Sequence, residues 1–469
     1  MQKKIVLLIS LFPAVLFLHA QENTEIRNAA TVYGNNMTLG TSRYLGMAGS
    51  MGAIGGDISA TNVNPAGLGV YITGDFHATL GINSYKNTST LNQNSLSYNK
   101  NNTNLSQFGG VLAFPLSGSD WKYLNIGINY LNQNLDDYIE TPGDHDIYRD
   151  LQGQGIRDRV SFDGHSYNRT GHLTKTNFGV GGNYKNKLYV GLGLNFHAVD
   201  VRQWDSYRMQ FASDPDDQKV FYNKQYSPYD ESSVGFSMAV GAIGKLNDFF
   251  RLGLSIESPT WWDTERNYTS YSNADPKIYS DDRDFRTPAK ASFSAALIPS
   301  KDFAFNIDYT LGISKPKYTS SIDQGSVNES LNQYFNSSSK NLSEFRVGAE
   351  YRVAGLRLRG GYSFANNPFD QQEIPSIHAG NKIENVNYNN LYVGKRNILG
   401  LGIGYDFRSF YVDAAYQNIR YDYDNPFFNG EYFTTDSSIS SKGVNFKESI
   451  VSTVKNQQNN IFITMGYKF

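Results

Sequence analysis

The chain has 469 residues, a formal net charge of −2 and no cysteine. Disulfide staples, thiolate zinc sites and cysteine nucleophiles are thereby excluded, and no basic surplus points to nucleic acid. Aromatic residues reach 14%, with 33 Tyr and 29 Phe beside 4 Trp, and there are 43 Gly; at a mean hydropathy of −0.47, this is the composition of β structure with polar turns.

In chain order, Lys3 and Lys4 precede the apolar run Ile5 to Leu18, and "LHA" ends on Ala20 before the polar "QENTE". These are the three parts of a secretory signal peptide, residues 1–20, with cleavage expected after Ala20. The run is short of the ~20 residues a membrane helix needs. No later stretch approaches that length, so the mature chain is expected to leave the cytoplasm without a membrane helix.

Residues 21–73 are Gly-rich and irregular, yet more apolar and less charged than a disordered tail. "TSRYLGMAGSMGAIGGD" is compatible with one or two short helices, the first capped by Thr41 or Ser42, and Asp57 is placed to cap a further turn ending before Pro65. In "NPAG", Asn64 is driven extended by the following proline, Pro65 has a fixed φ, Ala66 adds almost no bulk, and Gly67 permits a positive φ. The expected product is a small, stiff turn.

From residue 74 onward period-two alternation takes over. "FHATLGINSY" sets Phe76, Ala78, Leu80 and Ile82 on one side and His77, Thr79, Gly81 and Asn83 on the other, and "YLNIGINYL", "YVGLGLNFHA", "FAFNIDYTL" and "NILGLGIGYDF" repeat the pattern. Such segments are predicted near 74–86, 105–115, 121–133, 173–184, 188–211, 233–245, 249–271, 285–298, 303–318, 341–353, 356–366, 396–408, 410–424 and 452–469. Alternate links between them are tiny: "SGSD", "KNK", "LND", "PSKD", "AG" and Ser409. The others are long and polar, at 87–104, 134–172, 212–232, 272–284, 319–340, 367–396 and 425–451. Loops sorted by parity, with strands apolar on one face, predict an all-β, antiparallel transmembrane β-barrel of about fourteen strands over 74–469, with residues 21–73 as a luminal hatch. The last strand, "NIFITMGYKF", ends on an aromatic residue. It resembles the terminal strand that outer-membrane assembly machinery recognises.

The stretch "GTSRYLGMAGSMGAIGGDISATNVNPAGL" ahead of such a barrel strongly resembles the FadL-type family of outer-membrane transporters for hydrophobic molecules. "RTPAKASFSAAL", "EFRVGAEYRV", "LRLRGGYSF" and "LGIGYDFRSFYVDAAYQN" add to the likeness. The resemblance implies a hatch with an Asn-Pro-Ala motif, matched by Asn64, Pro65 and Ala66 with Gly67 and Asp57 close by. It also implies passage of long-chain fatty acids or similar apolar solutes, with sideways exit through the wall into the bilayer.

On the later strands the polar face carries Lys290, Asp308, Arg346, Glu350, Arg352, Arg357, Arg359 and Asp413. The arginines Arg346, Arg352, Arg357 and Arg359 admit two readings. They capture a ligand carboxylate, or they pair with Glu350, Asp413 or Asp57 and hold the hatch; the second is favoured, because buried charge must be compensated whatever the ligand. "GLGIGYD" continues a strand and is no dinucleotide loop; its glycines are expected to make room for the hatch. The acidic clusters 143–146, 214–217 and 280–284 read as solvated external loops rather than Ca²⁺ sites, and the scattered histidines form no zinc or triad pattern. No metal, cofactor, nucleic acid or enzymatic activity is called for. The expectation is a monomeric barrel in a Gram-negative outer membrane, in contact with its lipid and lipopolysaccharide, moving hydrophobic small molecules. A general porin or a surface adhesin are the rival readings.

Overall fold

The computed structural model describes residues 25–34, 38–150, 159–211, 219–224, 229–270, 277–320, 326–427, 430–434, 444–446 and 448–469. Fourteen wall strands, each antiparallel to its neighbours, form one closed sheet. Closure comes from the first, Asp75–Leu91, which pairs with the second, Asn94–Pro115, and also with the last, Ile450–Lys468. The remaining members include the third (Trp121–Asn134), fourth (Arg159–Tyr184), fifth (Leu188–Phe211) and sixth (Tyr229–Lys245).

The alternation in the sequence explains why the sheet closes with its greasy side outward. Phe76, Leu80 and Ile82 stand exposed while His77, Thr79 and Asn83 are buried; Leu124, Ile126 and Ile128 stand exposed while Asn125 and Asn129 are buried. A polar interior under an apolar exterior is the reverse of a water-soluble core, and it suits a barrel whose outer solvent is hydrocarbon. Aromatic ladders mark two levels of the wall. Phe178, Phe196, Phe236 and Trp261 contact in succession across wall strands four to seven, with ring centroids 5.9, 5.3 and 6.4 Å apart. Tyr405, Phe407 and Phe410 do so beside the short turn at Ser409, at 4.6 and 6.0 Å.

The long links differ from expectation, since much of their length is ordered. Residues 87–104 continue the first two strands to a tight turn at Asn92, whose φ is +53°. Asp137–Asp150 pairs with the outer half of the fourth strand, Lys277–Arg286 is a strand, Ser326–Ser338 is a helix, and Gln372–His378 forms a hairpin with Lys382–Tyr388. Outside the lipid both faces of a strand are polar, so there is no alternation to read. These arms are carried by ladder hydrogen bonds and polar cross-strand pairs such as Thr88–Ser97 and Thr90–Ser95, each 2.8 Å.

Two interruptions shape the wall. Strands seven, eight and nine each break at one level, at Pro259, Pro288 and Pro316, between Phe250–Glu257 and Trp261–Ser270, between Lys277–Arg286 and Lys290–Leu297, and between Phe303–Gly312 and Lys317–Ser320. Proline removes a ladder donor. Hydroxyls stand in for missing partners there: Thr287 Oγ1 accepts from the Thr260 N–H at 2.9 Å, and Ser314 Oγ from the Ala289 N–H at 2.8 Å. The second interruption separates strands two and three. Their pairing ends at Gln107↔Leu131. Beyond it the chain of strand three turns inward and Asp137–Asp150 crosses the luminal side of the first two strands, where Asn87 Nδ2 donates to Asp137 Oδ1 at 2.7 Å and Tyr98 stacks on Tyr138 at 4.0 Å.

Candidate functional site

Inside this wall lies the segment from Thr38 to Gly74. Three side-chain oxygens organise it. Thr41 caps the short helix Ser42–Gly46 by accepting from the Tyr44 N–H, and donates its own hydroxyl to Asp57 Oδ2 at 2.7 Å. Asp57 Oδ1 accepts from the Ser59 N–H at 2.9 Å and starts the turn Ile58–Asn62. Asn64 Oδ1 accepts from the Ala66 N–H at 3.0 Å and starts Pro65–Val70, with Pro65 at the first helical position where its missing N–H costs nothing. Gly67, which the sequence left free to take a positive φ, sits inside that turn without needing one.

The segment touches the wall from many sides. Asn64 Nδ2 donates to the Ala242 carbonyl at 3.2 Å, Asn125 Nδ2 to the Leu68 and Tyr71 carbonyls at 2.7 and 3.0 Å, and Arg251 to the Ile54 carbonyl at 3.0 Å. The Gly52 N–H meets the Asp308 carboxylate at 3.2 Å. Where no polar contact forms, the wall is hollowed. A Cβ built on Gly191 would stand 2.3 Å from Pro65, and one on Gly361 2.2 Å from Met47. Gly400 and Gly402 of "GLGIGYD" likewise face Leu45 and Gly46.

The arginine group divides. Glu350 is the hub of one cluster. It accepts from Arg43 of the luminal segment at 3.0 Å, from Arg352 at 2.5 Å and from Arg359 at 2.7 Å, and Arg359 also reaches Asp413 at 2.7 Å. Arg357 pairs instead with Asp406, and Arg346 with Glu344 at 2.5 Å. Asp57 is bonded to Thr41 rather than to a wall arginine. All of these arginines thus have carboxylate partners within the chain. Of the acidic clusters, 143–146 and 280–284 lie within strands and 214–217 lie outside the described residues.

Above the hub the lumen holds a cavity of ≈160 Å³ lined by Thr31, Gly34 and Leu39 of the N-terminal part and by Asn104, Asn132 and Tyr421 of the wall, among others. Asn104 and Asn132 flank the place where strands two and three part, and the Asn104 side chain donates to the Asn132 carbonyl at 3.4 Å. A second cavity of ≈80 Å³ is lined by Lys175, His197, Glu257, Lys290 and Arg346 with the proline-level residues Thr260 and Thr287. The helical stretch of residues 25–33 closes the lumen from the other side, with Asn28 Nδ2 on the Tyr229 hydroxyl at 2.7 Å and Val32 wholly buried. Its partners Glu231, Arg266 and Arg283, and Asp281 which pairs with Arg283, escaped the sequence reading. They stand in polar stretches read as loops or as plain strand, and the one available signal was the spacing of two between Asp281 and Arg283, which places both on one face.

No protein-family model matches this chain, and no curated protein matches it in sequence. Solved structures do resemble it. A Pseudomonas aeruginosa FadL homologue shares 12% identity over 92% of this chain and 98% of its own, with a TM-score of 0.55. The Pseudomonas putida toluene transporter TodX shares 13% over 92% and 98%, at 0.52, and the Ralstonia pickettii toluene transporter TbuX 13% over 92% and 99%, at 0.50. At that identity the likeness speaks for the fold: this chain has the architecture of the FadL-type barrels, a closed fourteen-strand wall around a folded N-terminal segment.

Proposed function

We propose that this protein carries hydrophobic small molecules, long-chain fatty acids or similar apolar compounds, across a Gram-negative outer membrane as a monomer. The observation that carries this reading is the gap between strands two and three beside the ≈160 Å³ cavity. In this mechanism external arms collect an apolar ligand, and the cavity receives it between the Asn-rich wall and the N-terminal segment. Residues 21–73 act as a hatch whose shift, at the Asn64–Gly67 turn and its Asp57-capped neighbour, frees the lumen. The ligand then leaves sideways past Asn104 and Asn132 into the bilayer. Lipopolysaccharide repels greasy molecules and a water-filled pore offers them nothing, so a plugged conduit with a side door answers both difficulties. Transfer of the ligand into hydrocarbon drives the step, at roughly 0.8 kcal/mol per methylene. The terminal strand ending at Phe469 is the element offered to the barrel assembly machinery.

A lumen crossed by residues 25–34 and 38–74 supports this over a general porin. The test uses the absence of native cysteine. Asn104→Cys with Asn132→Cys, bridged by a short bifunctional thiol reagent, is expected to abolish toluene and decanoate uptake by cells, and each single variant treated alike is expected to retain it. Unchanged uptake through the bridged barrel would rule out the side exit.

A further inference from the structure

On the outside of the barrel, one sector of the wall carries cations that no carboxylate of the chain takes up. It is built from strands twelve (Arg396–Asp406), thirteen (Phe410–Phe427) and fourteen, which closes onto strands one and two. The ladder registers set its outward-facing residues in rows. Leu401, Tyr416, Ile461 and Ile82 stand side by side and exposed, the last apolar row before the end of the barrel with the long links. Above it come Asn418, Asn459, Ser84 and Asn101, where Asn459 Oδ1 accepts from Asn418 Nδ2 and from the Tyr416 hydroxyl, each at 2.7 Å. The next row reads Asn397, Arg420, Gln457, Lys86 and Asn99. Arg420 and Lys86 are exposed, and among the described residues neither forms an ion pair. Lys455, one row higher, stands across the ladder from Asp422. Other sectors differ. Above Trp261 on strands seven and eight, Asp263 faces Asp284 and Glu265 faces Asp282, and on strands five and six Arg202 is taken up by Asp230 at 2.5 Å.

We propose that this sector is a docking surface for lipopolysaccharide, with Arg420 and Lys86 holding a phosphate of its lipid A between them. Neighbouring strands lie about 4.8 Å apart, so the two cations, separated by strand fourteen, are rooted about 10 Å from each other. The amide of Gln457 lies between them, and a phosphate seated over it accepts from all three side chains. The depth fits as well. Each cation stands four residues beyond the last apolar residue of its strand, which is about 10 Å in height for strands tilted by about 40°. Both side chains are long and reach back towards the hydrocarbon border. The row of amides and hydroxyls below meets the sugar, and the apolar row below that meets the acyl chains. In the headgroup layer a cation without a partner in the chain finds its counter-charge in the lipid, which explains why these two are left unpaired. The sector ends at strand two, whose outer half borders the gap to strand three, so a docked lipid stands beside the proposed side exit. This inference rests on the outer-membrane reading and adds the lipid that the outer surface selects.

The test is native mass spectrometry of the full mature chain in a non-ionic detergent, incubated with bisphosphorylated lipid A, with the same lipid A stripped of its phosphates, or with phosphatidylglycerol. The bisphosphorylated form is expected to bind about tenfold more tightly than either of the others. Equal binding of the two forms of lipid A would overturn the proposal, and that outcome needs no variant to fold. Phosphatidylglycerol binding as tightly as bisphosphorylated lipid A would overturn it too, since charge attraction alone would then account for the effect. Arg420→Gln with Lys86→Gln is expected to abolish the preference in a barrel that keeps its heat-induced mobility shift on gels. Asp263→Asn with Asp284→Asn is expected to leave it intact; the reverse outcome would move the seat to the acidic sector and sink the assignment. Toluene uptake by cells separates the two levels. If toluene is carried while the two forms of lipid A bind alike, the docking surface falls and transport stands; if toluene is not carried while the forms are distinguished, the transport reading falls and the docking surface stands.

Discussion

At the scale of single residues, the wall glycines are the sharpest constraint. Gly191 admits the backbone of Pro65 at a distance no side chain tolerates. Gly191→Val is expected to leave a folded barrel with a displaced Asn64–Gly67 turn, at a cost of about 1–3 kcal/mol from overpacking. The checks are the heat-induced mobility shift on gels for the wall and faster exchange of residues 64–70 for the turn. Asn64→Ala removes both the cap on Ala66 and the bond to Ala242, and the cap alone is worth about 1 kcal/mol; faster exchange confined to residues 64–70 is the expected readout. Glu25 adds a pH dependence. Burial pushes its carboxyl up, but the charges of Arg266 and Arg283 outweigh burial and hold it below its ordinary value of 4.5. A carboxyl lowered in the folded state contributes stability that is present above its unfolded value and is lost as pH falls through its folded value. Arg266, Arg283, Glu231, Asp281, Tyr33, Tyr229 and Tyr318 surround it. The protection factors of residues 25–33 are therefore expected to stay level from pH 8 to pH 5 and to fall only in acid; a fall centred near neutrality would contradict this electrostatic account.

At the scale of elements, strand two has two regimes. Residues 107–111 are flanked by ladders on both sides, while residues 94–105 pair only with strand one and 112–115 only with strand three. Backbone N–H groups point alternately to the two sides of a strand. Amide exchange is therefore expected to be uniformly slow over 107–111 and to alternate residue by residue over 94–105. Uniform protection along the whole strand would show that the gap closes in the membrane. The proline level in strands seven to nine is a different kind of interruption, because hydroxyl groups of Thr287 and Ser314 replace the ladder partners and the wall stays continuous.

At the scale of the whole molecule, the wall and its contents make separable predictions. A fourteen-strand barrel is wide enough to conduct water unless it is filled. The full chain is expected to pass little ion current in planar bilayers, and a form lacking residues 21–70 to give large, steady steps while keeping the gel mobility of a folded barrel. Large steady steps from the full chain would favour a general pore instead.

The sequence by itself determined the wall. Alternation at Phe76–Ile82, Leu124–Ile128 and Ile461–Met465 is a local, period-two property, and it sets which face meets hydrocarbon before any partner strand is known. Turn lengths then imposed the up-and-down order, and Thr41, Asp57 and Asn64 were legible as caps because capping acts within three residues. Only the tertiary structure decided what faces what across the lumen. That Glu350 gathers Arg43, Arg352 and Arg359 while Arg346 pairs with Glu344 depends on residues far apart in the chain but adjacent in the closed barrel. The clamp of Glu25 between Arg266 and Arg283 spans more than two hundred residues, and where strands two and three part, Asp137–Asp150 stays laddered to strand four while Asn87 and Ser89 of strand one bond to Asp137 and Thr141. Local chemistry repeats along a strand and can be read from it. Pairing across an enclosed space is a matter of closure, and no segment carries it alone.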